Sequence, residues 1–343
     1  MYEYYIYMNN DLYIKNKTSV KRVCLSVDTL FRANYNTTVS TDCAYGLPEP
    51  IHNVLSMKIT SVELPNFWYL FSQKNRSNEF TITVSNFIEY NDQTATATLI
   101  PSRTHRIVIP EGNYYDKDLI NYLGSYFNNV KGGLEFIIFD INTNNGKSIF
   151  RARHKFDNPL LPSPYDSSTP YYSPTFYYTL DFRLPDIDRP IYLNMGWTLG
   201  FKQATYIVTN SNTYTNPFLY SENGIVTFNA YLVSEGTYGN SLQEYLFLDI
   251  DDNNRSFSND TIISCLNGSY LEGNNIIARI TVNTNSNSIN FTNGSDVVFK
   301  KRQYFGPVTI SGLRIRILDK HGNILNMNGN DFSFFIEMEV LNK

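Results

Sequence analysis

Chemistry could arise in this sequence at a few places where residue type and spacing fit a known site. Glu337 and Glu339 stand two apart on a run, Phe332 to Leu341, whose pattern predicts a strand, so both carboxylates share one face, as acids do in some β-sandwich glycosidases. No second acidic strand pairs with them by pattern, and same-face acids are equally at home on a solvated strand. Asp249-Ile-Asp251-Asp-Asn253-Asn254 places oxygen donors at the alternate positions of a calcium loop, making Asp249, Asp251 and Asn253 the candidate ligands. Asn254 stands where glycine would make the sharp turn and Asp260 where a glutamate would close the shell, so a polar turn at a strand end is the simpler reading. Gly146-Lys147-Ser148 resembles the end of a phosphate loop, but Ile141 occupies the first glycine position and Ile149 to Arg153 reads as a strand instead of a helix, which favours a hairpin turn. His52, His105, His154 and His321 show no metal-ligand spacing and neighbour no nucleophile signature. These patterns imply no enzyme and no cofactor, with the calcium loop as the one metal candidate.

The elements that would position such residues are strands. Hydrophobic residues make up 42% of the 343 and aromatic residues 15%, with 27 Tyr and 23 Phe, so the core and contact surfaces are supplied largely by rings. Strand patterns recur over Ile51 to Leu64, ended by Pro65, then Phe67 to Phe71, Glu79 to Val84, Ala95 to Ile100, Arg106 to Ile109, Leu134 to Asp140, Ser148 to Arg153 and Phe176 to Phe182. They continue over Ile225 to Val233, Tyr245 to Ile250, Asn275 to Val282, Val308 to Leu318 and Phe332 to Leu341, with turn chemistry at Asn145-Gly146 and His321-Gly322-Asn323. One helix is predicted, Asp116 to Phe127, with Leu119, Leu123 and Phe127 on one stripe and Asp116 and Asp118 at its positive end. Seven prolines between Asn158 and Pro190 predict a long loop with a brief strand inside.

Charge and cysteine content exclude several classes. The 28 basic and 32 acidic residues give a net charge of −4, which disfavours a general nucleic-acid binder; Lys300-Lys-Arg302 and Arg314 with Arg316 read as a solvated basic edge. The three cysteines, Cys24, Cys43 and Cys265, are too few and too scattered for a disulfide framework or a thiolate metal site, which points to a reducing compartment. Met1 to Met8 lacks the basic and apolar segments of a signal peptide, and no apolar run approaches the ~18 residues of a spanning helix. Asn-x-Ser/Thr triplets such as those at Asn36, Asn267, Asn290 and Asn293 are what chance gives in an Asn- and Thr-rich chain.

The domain expectation has three parts. Residues 1–44, polar and turn-rich, read as an extended N-terminal arm containing a short strand-like run, Val23 to Val27, with contact residues Lys15, Lys17, Lys21, Arg22, Phe31, Arg32 and Tyr35. Residues 45–205 form a first β-rich part, including the helix at 116–127 and the proline-rich loop at 158–190. Residues 206–343 complete the β structure, giving either one sandwich bearing an insertion or two sandwiches in tandem.

Several phrases resemble the capsid proteins of nucleocytoplasmic large DNA viruses: Val27-Asp-Thr-Leu-Phe-Arg-Ala-Asn34, Ser40-Thr-Asp-Cys43, and Ile51 through Asn66 with its proline-ended strand. Ile109-Pro-Glu-Gly-Asn-Tyr114, Leu199-Gly-Phe201, Ile276-Ile-Ala-Arg-Ile280, Leu313 to Asn323 and Asp331-Phe-Ser-Phe-Phe335 are similar to further landmarks of that family, while Thr29 and Cys43 depart from its usual serine and aromatic. The resemblance implies an all-β jelly-roll sandwich serving as a minor capsid or penton-like subunit of an icosahedral shell. It further implies partners that are copies of itself and other capsid proteins, an arm in contact with neighbouring subunits or an inner membrane, no active site, and a place in the virion after assembly in the host cytoplasm. The alternative from the residues themselves is a glycan-binding or fibre-like attachment module, because exposed Tyr and Trp on a β-sandwich also stack on sugar rings.

Overall fold

The computed structural model of the chain describes residues 19–157, 163–183, 189–221, 224–239, 245–255, 257, 262–266, 269–273, 275–282, 289–293 and 301–342. Along the chain its strands are β1 (Val20–Asp28), β2 (Asp42–Pro65), β3 (Glu79–Asn91), β4 (Thr96–Val108), β5 (Ile137–Ile141), β6 (Ser148–Ala152), β7 (Tyr177–Asp181), β8 (Thr205–Val208) and β9 (Tyr214–Ser221). They continue as β10 (Gly224–Phe228), β11 (Leu232–Val233), β12 (Tyr245–Asp251), β13 (Ile262–Leu266), β14 (Ser269–Gly273), β15 (Ile276–Thr281), β16 (Ile289–Asn293), β17 (Lys301–Leu318) and β18 (Ser333–Leu341). The helices are α1 (Asp116–Val130) and the single turn α2 (Met195–Thr198). The protein is all-β, and no helix among the described residues is long and apolar enough to cross a membrane.

Two compact units divide the chain, residues 1–68 with 243–343, and residues 69–242. The sequence reading sets its boundaries at 44/45 and 205/206 instead. Pattern alone misses the division because the first unit is closed by strands more than three hundred residues apart, a pairing that leaves no local mark on either strand.

In the first unit the sheet order is β1-β18-β2-β17-β12-β15, with β16 also on β2. Counted along the first unit alone, with residues 69–242 left out, the strands nest about its middle and pair antiparallel: β1 with β18, β2 with β17, β12 with β15. A long hairpin rolled up in this way is the wiring of a jelly roll. Alternation then sets the core. Val54, Met57, Ile59, Val62 and Leu64 of β2 meet Ile310, Leu313, Ile315 and Ile317 of β17 and Phe334, Ile336, Met338 and Val340 of β18 in one buried cluster. β2 and β17 stay paired over their length only through three register shifts between Gln303 and Gly312, which bend the ribbon.

The expectation of an arm over residues 1–44 is corrected by β1. All nine of its residues pair with β18, from Val20 opposite Leu341 to Asp28 opposite Ser333, because Val23, Leu25 and Val27 alternate at strand period and extend the core. Residues 20–44 thus belong to the sheet and the turn that follows it. The earlier part of the expected arm, with Lys15 and Lys17, lies outside the described residues.

The second unit carries a sheet of order β4-β3-β7-β8 and another of order β11-β6-β5, with a single aromatic-rich core. The expected strands at 95–100 and 106–109 are one, β4, which passes through Pro101 opposite Asn86 of β3, a position the ladder skips without changing register. There Asn86 adopts φ 55°, and Phe87 is buried after Phe80, Ile82 and Val84. The expected strand at 67–71 is absent apart from one bridge, Phe71 to Gly112. α1 buries Leu119, Leu123 and Phe127 as predicted and ends where Lys131 donates its N–H to Phe127 O at 3.1 Å with φ 55°. Gly133 follows at φ 96°, where a Cβ would lie 2.8 Å from Val84, so only glycine fits. Within the proline-rich stretch the brief strand is β7, while 158–162 and 184–188 lie outside the described residues.

Ile336 is fully buried and lies opposite both Leu25 of β1 and Ile59 of β2. Ile336→Ala is expected to cost ~2–5 kcal/mol by chemical denaturation, with an unchanged denaturant slope.

Candidate functional site

The turn between β1 and β2 joins sequence phrases that stand three hundred residues apart. β1 ends at Asp28, whose carboxylate accepts the Leu30 N–H at 2.9 Å and so starts a 3-10 turn, Thr29–Phe31. Arg32 follows, its side chain only 5% exposed. Nε donates to Thr38 Oγ1 (3.1 Å), Nη1 to Thr29 O (2.8 Å) and to Asp331 Oδ1, and Nη2 to Thr38 O (3.1 Å) and Tyr35 O (3.3 Å). All five guanidinium donors are thereby used.

Asp331 closes the network from the chain preceding β18. Its Oδ1 lies 3.1 Å from Thr29 Oγ1, and its Oδ2 accepts the Tyr35 hydroxyl at 3.1 Å. Thr29 N–H donates to Phe332 O and Phe332 N–H to Thr29 Oγ1, each at 3.0 Å. Arg32 also lies 4.0 Å from the Tyr35 ring centroid, a cation–π contact. Further along, Ser40 Oγ donates to Asn330 O (2.6 Å) and Thr41 Oγ1 to Leu325 O (2.7 Å).

What this clamp holds at the surface is apolar. Leu30 is 49% exposed, Phe31 72%, Tyr35 41% and Val39 51%. A fully bonded guanidinium underneath and four apolar side chains above make a stiff, greasy protrusion. Of the residues expected to make contacts, the structure brings Phe31, Arg32 and Tyr35 together here and places Lys21 and Arg22 on β1. Sequence reading misses Asp331, Thr29 and Thr38 as Arg32's partners. The one signal is that Asp331 opens a phrase of the same resemblance that Arg32 belongs to.

The other candidates resolve into local structure. Asp249 is buried and accepts Arg316 Nε and Nη2 at 3.1 and 3.0 Å; burial raises its carboxyl, with Arg316 opposing. Asp251 pairs instead with Arg255 at 3.3 Å, and Asn253, at φ 62°, donates its N–H back to Asp251 Oδ1. The expected calcium ligands Asp249, Asp251 and Asn253 therefore serve an ion pair and a turn, and among the described residues no three His, Cys, Asp or Glu side chains gather as a metal set.

Glu337 lies 3.5 Å from both Arg22 and Lys58, and Glu339 2.7 Å from Lys301 and 2.8 Å from Ser56 Oγ. The Lys301 and Ser56 hydrogen bonds hold the Glu339 carboxyl below its ordinary range, the opposite of what a general acid needs. Gly146, at φ 67°, donates its N–H to Asn142 O and closes the β5–β6 hairpin. The histidines are dispersed: His52 bonds Thr309, His105 bonds Gly132 O, His154 stacks on Phe156, and His321 sits in a turn with Asp319.

No protein-family model matches the chain, and no curated protein matches it. Among solved structures the chain is similar to the mavirus penton protein, seen in the crystal structure of its selenomethionine-labelled form. The superposition has a TM-score of 0.44 at 9% sequence identity and covers 94% of this chain and 99% of that one.

Arg32→Lys leaves three donors on a flexible stem against five acceptors and is expected to destabilise the first unit by about 3 kcal/mol in chemical denaturation. Cys43, buried beneath the turn, has its thiol pushed up to about 11 by burial, with Arg32 opposing, whereas Cys24 is exposed. At pH 8 iodoacetamide is therefore expected to label Cys24 in the folded protein and Cys43 only after denaturation, as read by peptide mass spectrometry.

Proposed function

We propose that this chain is a non-enzymatic structural subunit of a viral shell, a minor capsid or penton-like protein that binds copies of itself and other shell proteins. The reading places it in the virion, assembled in the host cytoplasm. The observation that carries it is the Arg32-clamped turn, which keeps Leu30, Phe31, Tyr35 and Val39 in solvent on a backbone that cannot relax to cover them. Exposed aromatic surface on a mobile loop would lose conformational entropy on binding; here that cost is met during folding, which suits a permanent contact.

The resemblance read from sequence supports the same conclusion from a different side. Its first phrase supplies Arg32, its second Ser40, Thr41 and Cys43, and its last Asp331, and these meet in one network. The glycan-binding alternative keeps exposed tyrosines such as Tyr115, 76% exposed, but neither tryptophan supports it. Trp68 is buried, and Trp197 lies under the Lys202 ammonium, 3.4 Å from the ring centroid.

Quantitative mass spectrometry of purified virions is expected to find the chain at a fixed ratio to the major shell protein. Phe31→Ala with Leu30→Ala, which leave the Arg32 bonds in place, are expected to keep the circular-dichroism spectrum and to lower incorporation roughly tenfold or more. Absence from virions, or unchanged incorporation of the double variant, would reject the reading.

A further inference from the structure

β1 ends its sheet, and its outer edge has a specific chemistry. Asn342 N–H donates to Ser19 O at 2.8 Å and Thr29 N–H to Phe332 O at 3.0 Å, which fixes the phase of the ladder between them. In an antiparallel ladder alternate residues turn their backbone groups to the same neighbour. Odd-numbered residues of β1 therefore face β18, and the N–H and C=O groups of Arg22, Cys24, Ser26 and Asp28 point away from it. β1 has no second neighbour among the described residues.

Among those residues this edge is open along its full length. Two other long stretches with one free side carry proline in their middle, Pro101 in β4 and Pro48 with Pro50 in the part of β2 that β18 does not reach. Proline interrupts the regular ladder that another strand would extend, which is how natural sheets discourage edge pairing. β1 has no proline, no bulge and a regular register across nine residues. Its charges are asymmetric, with Lys21 and Arg22 at the start and Asp28 at the end.

That asymmetry selects the occupant. We propose that β1 pairs antiparallel with β1 of a second copy of this chain across a two-fold axis. Registers that set odd residues against even ones fail, because they would put core-facing side chains opposite polar ones and misalign the free N–H and C=O groups. Of the remaining registers, one sets Arg22 opposite Asp28 of the second copy, at both ends of the pair. Arg22 is 72% exposed and meets Glu337 through Nε alone, at 3.5 Å, which leaves its Nη groups to reach across, and Asp28 has a second carboxylate oxygen beyond the one that caps Leu30. The same register stacks Leu25 on Leu25 of the second copy and Val23 on its Val27, continuing the apolar face. It sets Cys24 opposite Ser26 of the second copy, and Val20, 47% exposed, beside the start of that copy's turn, where Leu30 is 49% exposed.

A closed two-fold contact of this kind is isologous and needs no other shell component, so its test is independent of the shell reading. Ser26→Cys keeps every bond to β18 and sets the Cys24 thiol of each copy directly across from the thiol introduced at position 26 of the other. Mild oxidation is expected to give a disulfide dimer whose cross-linked peptides join position 24 of one copy to position 26 of the other. Ser26→Pro removes only an outward N–H, and at an edge position its backbone angle is permitted; it is expected to weaken the dimer seen in sedimentation velocity roughly tenfold or more, with an unchanged circular-dichroism spectrum. Oxidised Ser26→Cys that stays monomeric, a cross-link through Cys43 or Cys265 instead, or a Ser26→Pro protein that dimerises as tightly as the wild type would each overturn the proposal.

Discussion

A buried guanidinium must find a partner for each of its donors or leave a charge stranded out of water, and Arg32 satisfies this with five acceptors drawn from two ends of the chain. Much of the first unit follows from that requirement. Holding Asp331 against Thr29 fixes where β18 begins relative to the end of β1, and that distance fixes the register of their ladder. With β1 and β18 in register, Leu25 and Ile336 meet over Ile59 and the core closes. A slip of one residue would turn the apolar face of β1 to solvent, so the polar network above the sheet and the apolar pattern within it specify the same answer.

The two kinds of interaction contribute differently. Buried aliphatic and aromatic side chains supply most of the stability, since each is worth ~1.5–3 kcal/mol in transfer from water. The ion pair adds little net energy, because the desolvation of two charges offsets most of their attraction. Its value lies in direction: five bonds at set angles admit one backbone path for residues 29–38, where apolar contacts would tolerate several. The same division recurs elsewhere in this unit, where Arg302 is set against Asp252 at 3.2 Å and Tyr304 bonds Asp252 beside Phe257. Buried Arg–Asp pairs position the bends, and strand alternation fills the space between them.

How legible a feature is in the sequence depends on the range of the interaction behind it. α1 is readable because Leu119, Leu123 and Phe127 repeat at helical spacing within the helix itself, and the β5–β6 turn because Gly146 announces a positive φ. β4 reads as two strands because Pro101 signals a break, and only the positive φ of Asn86 opposite it, on a different strand, marks where the ladder skips one pair and continues in the same register. The supposed arm misleads for the same reason. Lys21 and Arg22 give β1 a polar, solvated look, and the strand that completes it lies at the far end of the chain. At the candidate site Phe31, Arg32 and Tyr35 are visible as members of the expected arm, but the acceptor set is not, since three of Arg32's five acceptors are backbone carbonyls and side-chain patterns carry no information about those.

The contrast between edges shows which surfaces the sequence keeps closed. An unpaired strand edge is the most adhesive feature of a β protein, and its cost rises with the concentration at which the protein is held. Pro48, Pro50 and Pro101 each interrupt the regular ladder of a strand that would otherwise recruit another chain. On β1 the sequence spends no residue on that defence. It also sets the apolar Leu30 and Phe31 directly beyond the strand's end, held in place by the Arg32 clamp. An edge left open next to exposed aliphatic and aromatic side chains would be a liability in a protein meant to stay alone, whereas in one meant to be covered the same features form a single continuous contact surface. A regular, proline-free edge on β1 beside an apolar turn held in place is the arrangement expected where association uses that face.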